Sequence, residues 1–158
     1  MNKQPTQSKP MDVIAMLTLE HAQMKSKFQS YEKLGARALT AKKTLADEIC
    51  LVLTAHATAE GEIFYPAAEA VGKEEKKLVD EGSVEHACAK QLIAQILAME
   101  AGDELFDSKV KVLGEQIEHH VKEEENEMFP RARKAKLDLV ALGDDVAKRK
   151  AELMMQAA

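Results

Sequence analysis

Tryptophan is absent from this 158-residue chain, aromatic residues make up 4% of it, and it holds only two cysteines. Cys50 and Cys88 form no CxxC pair and are too few for a thiolate cluster. A zinc or iron–sulfur site built on cysteine is therefore excluded, and any metal must be held by nitrogen and oxygen. Both cysteines stand among apolar neighbours and read as small buried residues. Basic clusters interleaved with aromatics are also missing and the formal net charge is −5, so nothing draws the chain to nucleic acid. No stretch approaches the roughly 20 apolar residues of a membrane span, and the opening MNKQPTQSKPM lacks the apolar core of a secretory signal. The expectation is a cytoplasmic protein without a membrane partner. No Ser-His-Asp array, phosphate-binding glycine loop or nucleotide fingerprint supports a hydrolase or kinase.

What the chain does contain is helix-forming material. Hydrophobic residues reach 46% and charged residues 31%, in runs rich in Ala, Leu, Glu and Lys, which predicts an all-α fold. The length suits one domain able to bury a core without disulfides. Residues 1–11, polar with two prolines, read as a flexible N-terminal arm. From Asp12, a candidate N-cap, the stripe Ile14, Leu17, His21, Met24, Phe28 and Tyr31 marks a first helix, with Gly35 a candidate for its end. A second helix starts near residues 40 to 44 and runs to about Tyr65 on Ile49, Leu53, His56, Glu60 and Ile63, and Pro66 breaks or kinks it. A third, roughly 74 to 100, carries Val79, His86, Ala89, Ile93 and Ile96 and stops before Gly102-Asp103. Gly82, one turn before His86, lets a backbone or ligand come close. The fourth, from about Glu104, carries Val110, Leu113, Ile117, His120, Glu124 and Met128, with Pro130 near its end. A fifth, about 138 to 156, packs on the bundle or on a partner.

Within this pattern the chain repeats itself. HATAEGEIFYP at 56–66 returns as HVKEEENEMFP at 120–130, with His56, Glu60 and Pro66 in register with His120, Glu124 and Pro130. Leu19-Glu20-His21-Ala22 is echoed by Val84-Glu85-His86-Ala87, 65 residues from His21 to His86 against 64 from His56 to His120. On a helix, positions four apart lie about 40° apart around the axis and roughly 6 Å along it, so each HxxxE presents an imidazole and a carboxylate to one point. The chain reads as two helical hairpins of one pattern closing into an up-and-down antiparallel four-helix bundle over 12–136, with a helical extension over 137–158. Two facing HxxxE helices could hold two metal ions.

One histidine on an apolar stripe is commonly a core residue. Here four of the five histidines and two carboxylates fall on the stripes of four different helices, and charged groups are rarely buried unless paired or coordinated. The candidate metal ligands are therefore His21, His56, Glu60, His86, His120 and Glu124. His119 has Glu115, Gln116, Lys122 and Glu123 as helical neighbours, a polar face, and reads as surface; Glu123 and Glu125 are a solvated face around Glu124. Tyr31 lies some 15 Å along the helix from His21 and Tyr65 more than a turn from Glu60, so both read as packing residues. Glu20 and Glu85 are candidate partners for the histidine N–H groups, although adjacency points each about 100° from the histidine beside it.

These residues resemble the hemerythrin and HHE cation-binding family over His21 to Pro130. The shared pattern is a lone His, HxxxE with an aromatic-Pro, a second lone His, and HxxxE with Phe-Pro. The resemblance implies a non-haem centre of two iron ions bridged by the two glutamates, with histidines as terminal ligands. It also implies a small-molecule ligand: dioxygen, nitric oxide or peroxide. Oxygen-carrying hemerythrins place two histidines four apart on the third helix, where this chain has His86 and Lys90, and they use His and Asp five apart on the last helix, where it has His120 and Glu124. A site short of one ligand should be more labile or more reactive than a saturated one. Three functions follow: a di-iron protein binding or sensing dioxygen, nitric oxide or iron; a redox enzyme acting on peroxide or nitric oxide; or a structural or regulatory bundle without metal.

Overall fold

The computed structural model describes residues 10–157, so most of the expected N-terminal arm lies outside the described residues. The described residues are mainly helical, without a strand. α1 (Val13–Glu32), α2 (Leu39–Ala59), α3 (Tyr65–Glu69), α4 (Lys73–Ala98), α5 (Phe106–Glu123), α6 (Phe129–Lys134) and α7 (Leu139–Gln156) follow one another through short connections. Asp12 caps α1 as expected, its carboxylate accepting the Ala15 N–H at 2.8 Å, and Asp138 caps α7 through the Ala141 N–H at 3.1 Å. α1 packs on α2 and α5, α4 packs on α2 and α5, and α7 lies against α1 and α2. None of these helices is long and apolar enough to cross a membrane.

Between α2 and α3, Glu60–Phe64 forms a π-helical turn, and between α5 and α6, Glu124–Met128 forms another. Pro66 and Pro130 therefore neither end nor sharply break their helices. A proline ring collides with the carbonyl four residues back and offers it no N–H. The wider turn absorbs this mismatch one residue upstream, and the helix continues to Glu69 and Lys134. Such turns concentrate at functional sites because they rotate the residues that follow.

The core divides into two apolar clusters. Met24, Ile49, Leu53, Ile93, Ile96, Phe106, Val110 and Leu113 form one, while Val13, Leu17, Phe64, Tyr65, Val79, Met128, Phe129 and Val146 form the other. Along each long helix the site histidine falls where the stripe passes between clusters: His21 after Leu17 and before Met24, His56 after Leu53 and before Ala59, His86 after Val79 and before Ala89, His120 after Leu113 and before Met128. A polar layer thus crosses the middle of the molecule. Cys50 is buried as expected, but Cys88 is exposed, because it lies two positions on from His86 and faces away from the stripe.

Candidate metal centre

All six predicted residues meet in that layer. Glu60 is 0% exposed, Glu124 1%, His21 and His56 4% each and His120 5%, while His86 is half-buried. The histidines form two pairs, His21 with His56, ring centres 5.1 Å apart, and His86 with His120, ring centres 4.7 Å apart. Each pair comes from one hairpin. The glutamates stand between them: Glu60 has Oε2 3.7 Å from His56 Nε2 and Oε1 3.1 Å from His86 Nε2, and Glu124 Oε1 lies 3.5 Å from His21 Nε2 and 3.0 Å from His120 Nε2. Donor atoms of His21, His56, Glu60 and Glu124 lie within 4.8 Å of one another, as do those of Glu60, His86 and His120. His119 is 69% exposed with Glu123 at 3.1 Å, a surface residue as its polar neighbours indicated.

The outer ring nitrogens are held by carboxylates from other helices. Glu20 lies beside His21 in sequence, yet its Oε2 is 2.6 Å from Nδ1 of His56, and Glu85, beside His86, reaches Nδ1 of His120 at 3.3 Å. His21 Nδ1 has Glu125 at 3.2 Å, so Glu125 is more than a solvated face. An ionised carboxylate only accepts, so each Nδ1–H donates to it, which leaves Nε2 as the inward nitrogen that offers its lone pair once any proton on it is displaced. The residue matching Glu125 after Glu60 is Gly61, and a side chain there would begin 4.0 Å from His86 Nδ1, which leaves His86 without this partner among the described residues.

Tyr65 is the residue that helical spacing missed. The π turn carries the Tyr65 N–H to the Glu60 carbonyl, five residues back, which rotates the ring onto the glutamate's face. Its hydroxyl lies 3.3 Å from Glu124 Oε2 and 3.4 Å from Nε2 of both His86 and His120. Tyr65 stacks on His86, centres 5.0 Å apart and planes 6° apart, as Phe129 stacks on His21 at 5.8 Å and 6°. Gly82 makes the space: a Cβ there would fall 2.5 Å from the Tyr65 hydroxyl oxygen and 3.0 Å from Cζ. What comes close at Gly82 is thus a side chain of the same molecule. The available sequence signal was the proline after an aromatic in each repeat, a pairing that a regular helix does not explain.

Electrostatics tighten the cluster. Burial favours neutral Glu60, but the imidazoles of His120, His86 and His56 around it hold its carboxyl well below the usual range. Burial likewise opposes charge on His120, and the Glu124 and Glu60 carboxylates outweigh it, pushing the imidazole up to about 11. His21 is raised in the same way, against burial, chiefly by Glu124. Burial and the charges of Glu60 and Glu124 push the Tyr65 phenol upward, so it keeps its proton.

Even so, five buried atoms of the cluster have no aligned hydrogen-bond partner among the described residues: His21 Nε2, His56 Nε2, both Glu60 oxygens and Glu124 Oε1. Buried polar groups are nearly always satisfied, and here the orphans converge from four elements on one space. Imidazole nitrogens and carboxylate oxygens are the donor set of iron, manganese or zinc, so these residues fit bound metal.

Comparison with known proteins agrees. The family model "Hemerythrin HHE cation binding domain" matches residues 12–132. A solved structure, that of a hemerythrin HHE cation binding domain-containing protein from Mycobacterium kansasii, is similar in fold with a TM-score of 0.78, at 21% identity over 93% of this chain and 90% of that one. Among curated proteins none matches this chain in sequence. With its buried cluster of histidines and glutamates and its helical architecture, the chain belongs to the hemerythrin HHE cation-binding family.

Proposed function

We propose that this chain is a non-haem di-iron protein that binds or senses dioxygen, nitric oxide or iron. His21 and His56 would hold one iron, His86 and His120 the other, with Glu60 and Glu124 bridging them. The observation that carries this reading is the position of the two buried carboxylates, each facing both histidine pairs. Up-and-down packing of the four long helices over 12–136, with 137–158 as an extension, is the architecture that accounts for one histidine arriving from each helix.

When bound, ferrous iron supplies electrons and an open coordination position for a small ligand. The chain's own residues do the rest. Phe64, fully buried, and Phe129, stacked on His21, keep bulk water from one side. On the other side a cavity of about 20 Å³ touches His56, His86 and His120 and is otherwise lined mainly by apolar groups, including Met24, Leu53, Ile93 and Ile117. That is about the volume needed for one water-sized molecule, and its lining disfavours water. Lys90, standing where oxygen carriers have a further histidine, lines the same cavity.

A redox enzyme acting on peroxide or nitric oxide is the second reading, favoured by the proton that Tyr65 holds at its hydroxyl within reach of both His86 and His120. Anaerobic loading with ferrous iron, metal analysis, and absorption spectra on admitting oxygen and after degassing separate the readings. Two irons with reversible bands support binding, and irreversible conversion to a ferric product supports redox chemistry. A protein that takes up no iron, and whose melting temperature ignores chelators, would be the metal-free structural bundle.

A further inference from the structure

The C-terminal helix lies beyond the residues matched by the family, yet it reaches the metal cluster. Lys150 donates to Oε1 of Glu20, the carboxylate whose other oxygen holds Nδ1 of His56. On the same helix Arg149 donates to Glu62, at 2.7 Å, inside the π turn that begins at Glu60. The helix is firmly seated. Val146 is fully buried, and Gly143 approaches the start of α1 so closely that a Cβ would lie 3.0 Å from the Met11 carbonyl oxygen and 3.1 Å from the Val13 nitrogen. Glu20's side chain is 12% exposed, so its pairing is not the solvent-screened kind that contributes little.

We propose that Lys150 is a positioning residue for the metal centre: through Glu20 it fixes the His56 imidazole on the iron shared with His21. This rests on the reading of the six residues as ligands. The other half has no lysine or arginine brace of this kind among the described residues, for beyond Glu85, which holds His120, stand the exposed His119 at 3.9 Å and the carboxylate of Glu123. Loss of Lys150 should therefore act on one iron and spare the other.

The test is an anaerobic titration of the full chain with ferrous iron against a competing chelator, for wild type, K150M, K150R, E20Q and the E20Q/K150M double variant, with K148M as a control at an exposed position. Wild type should bind two irons. K150M should weaken one roughly tenfold, the lower end of the loss for removing the direct partner of a metal-bound histidine, because Glu20 itself stays in place. K150R and K148M should bind like wild type. Because Lys150 acts through Glu20, K150M should add nothing in the E20Q background, a result that general destabilisation would not produce. Where K150M is too unstable to load, K150Q carries the same cycle. Equal affinity in wild type and K150M, equal weakening of both irons, or additive effects with E20Q would overturn the proposal while leaving the di-iron reading intact. Wild type without iron would overturn both.

Discussion

Glu20 forms its hydrogen bond with His56, on the neighbouring helix, and not with His21 beside it in sequence; the Oε2–Nδ1 distance is 2.6 Å. Glu85 and His120 repeat the relationship at 3.3 Å. Each Glu-His dipeptide therefore serves two purposes. Its histidine enters the cluster, and its glutamate, rotated by about 100°, reaches across the hairpin to orient the histidine of the HxxxE pair. Both repeats are thereby locked to their partner helices.

Tyr65 and Phe129 occupy matching places in the two repeats, and only Tyr65 carries a hydroxyl. Tyr65 keeps its proton in the metal-free protein, and a ferric ion bound within reach of its hydroxyl would displace that proton, so ferric-loaded protein is expected to show a phenolate-to-iron charge-transfer band in the visible spectrum. Y65F should lose this band and Y31F should keep it. A spectrum unchanged in Y65F would exclude the phenol from the centre.

G82A should displace the Tyr65 ring, since the new Cβ would meet the hydroxyl oxygen at 2.5 Å. Overpacking of this kind costs about 1–3 kcal/mol, partly offset by alanine's better helix propensity, about 1 kcal/mol. In Y65F the closest atom is gone, so the double variant should lose less stability than the two single losses combined. Denaturant midpoints for the four proteins check this coupling.

The metal-free protein should lose stability in alkali. His120 is raised to about 11 from 6.5, so its contribution is complete below about pH 6.5, declines above it and is gone past about 11. Glu60 is depressed below 4.5, so its contribution is present above that value and fades as pH falls through its lower, folded-state pKa. These groups together place the optimum near pH 4.5–6.5. Urea midpoints of metal-free protein should fall between pH 6 and 9. Above neutral pH the metal-loaded protein should show a weaker dependence, because the metal replaces the proton.

Chelation should lower the melting temperature. A metal present at a hundred times its dissociation constant adds about 2.7 kcal/mol per site, which in a chain of this size is a shift of roughly 5–10 °C. Calorimetry with and without chelator measures it, and identical melting curves would remove the metal from the folded state.

Far from the cluster, Tyr31 donates to Asp107 at 2.6 Å and the buried Lys42 joins the same carboxylate at 3.0 Å, tying α1, α2 and α5 together. Y31F should cost about 1–2 kcal/mol, the lower end for a hydrogen bond to a charged group because the Asp107 carboxylate is exposed, without changing metal affinity. Thermal unfolding and a metal titration of the same variant test both parts.

Helix content, the approximate helix bounds, the doubled pattern and the six converging residues were legible in the sequence, because helical period is a local property and a buried stripe shows in the order of residue types. His119 could be set apart from His120 on the same ground. Three features were not legible. A π turn depends on how a proline's steric demand is accommodated in packed surroundings, so Tyr65's place at the cluster followed only from the folded chain. The cross-hairpin pairing of Glu20 with His56 depends on the distance between helices. So does the contact of Lys150 with Glu20, 130 residues apart. Sequence by itself determined which side chains face inward, through local periodicity; tertiary structure decided which atoms hold and orient them, because that depends on distances between segments that periodicity does not encode.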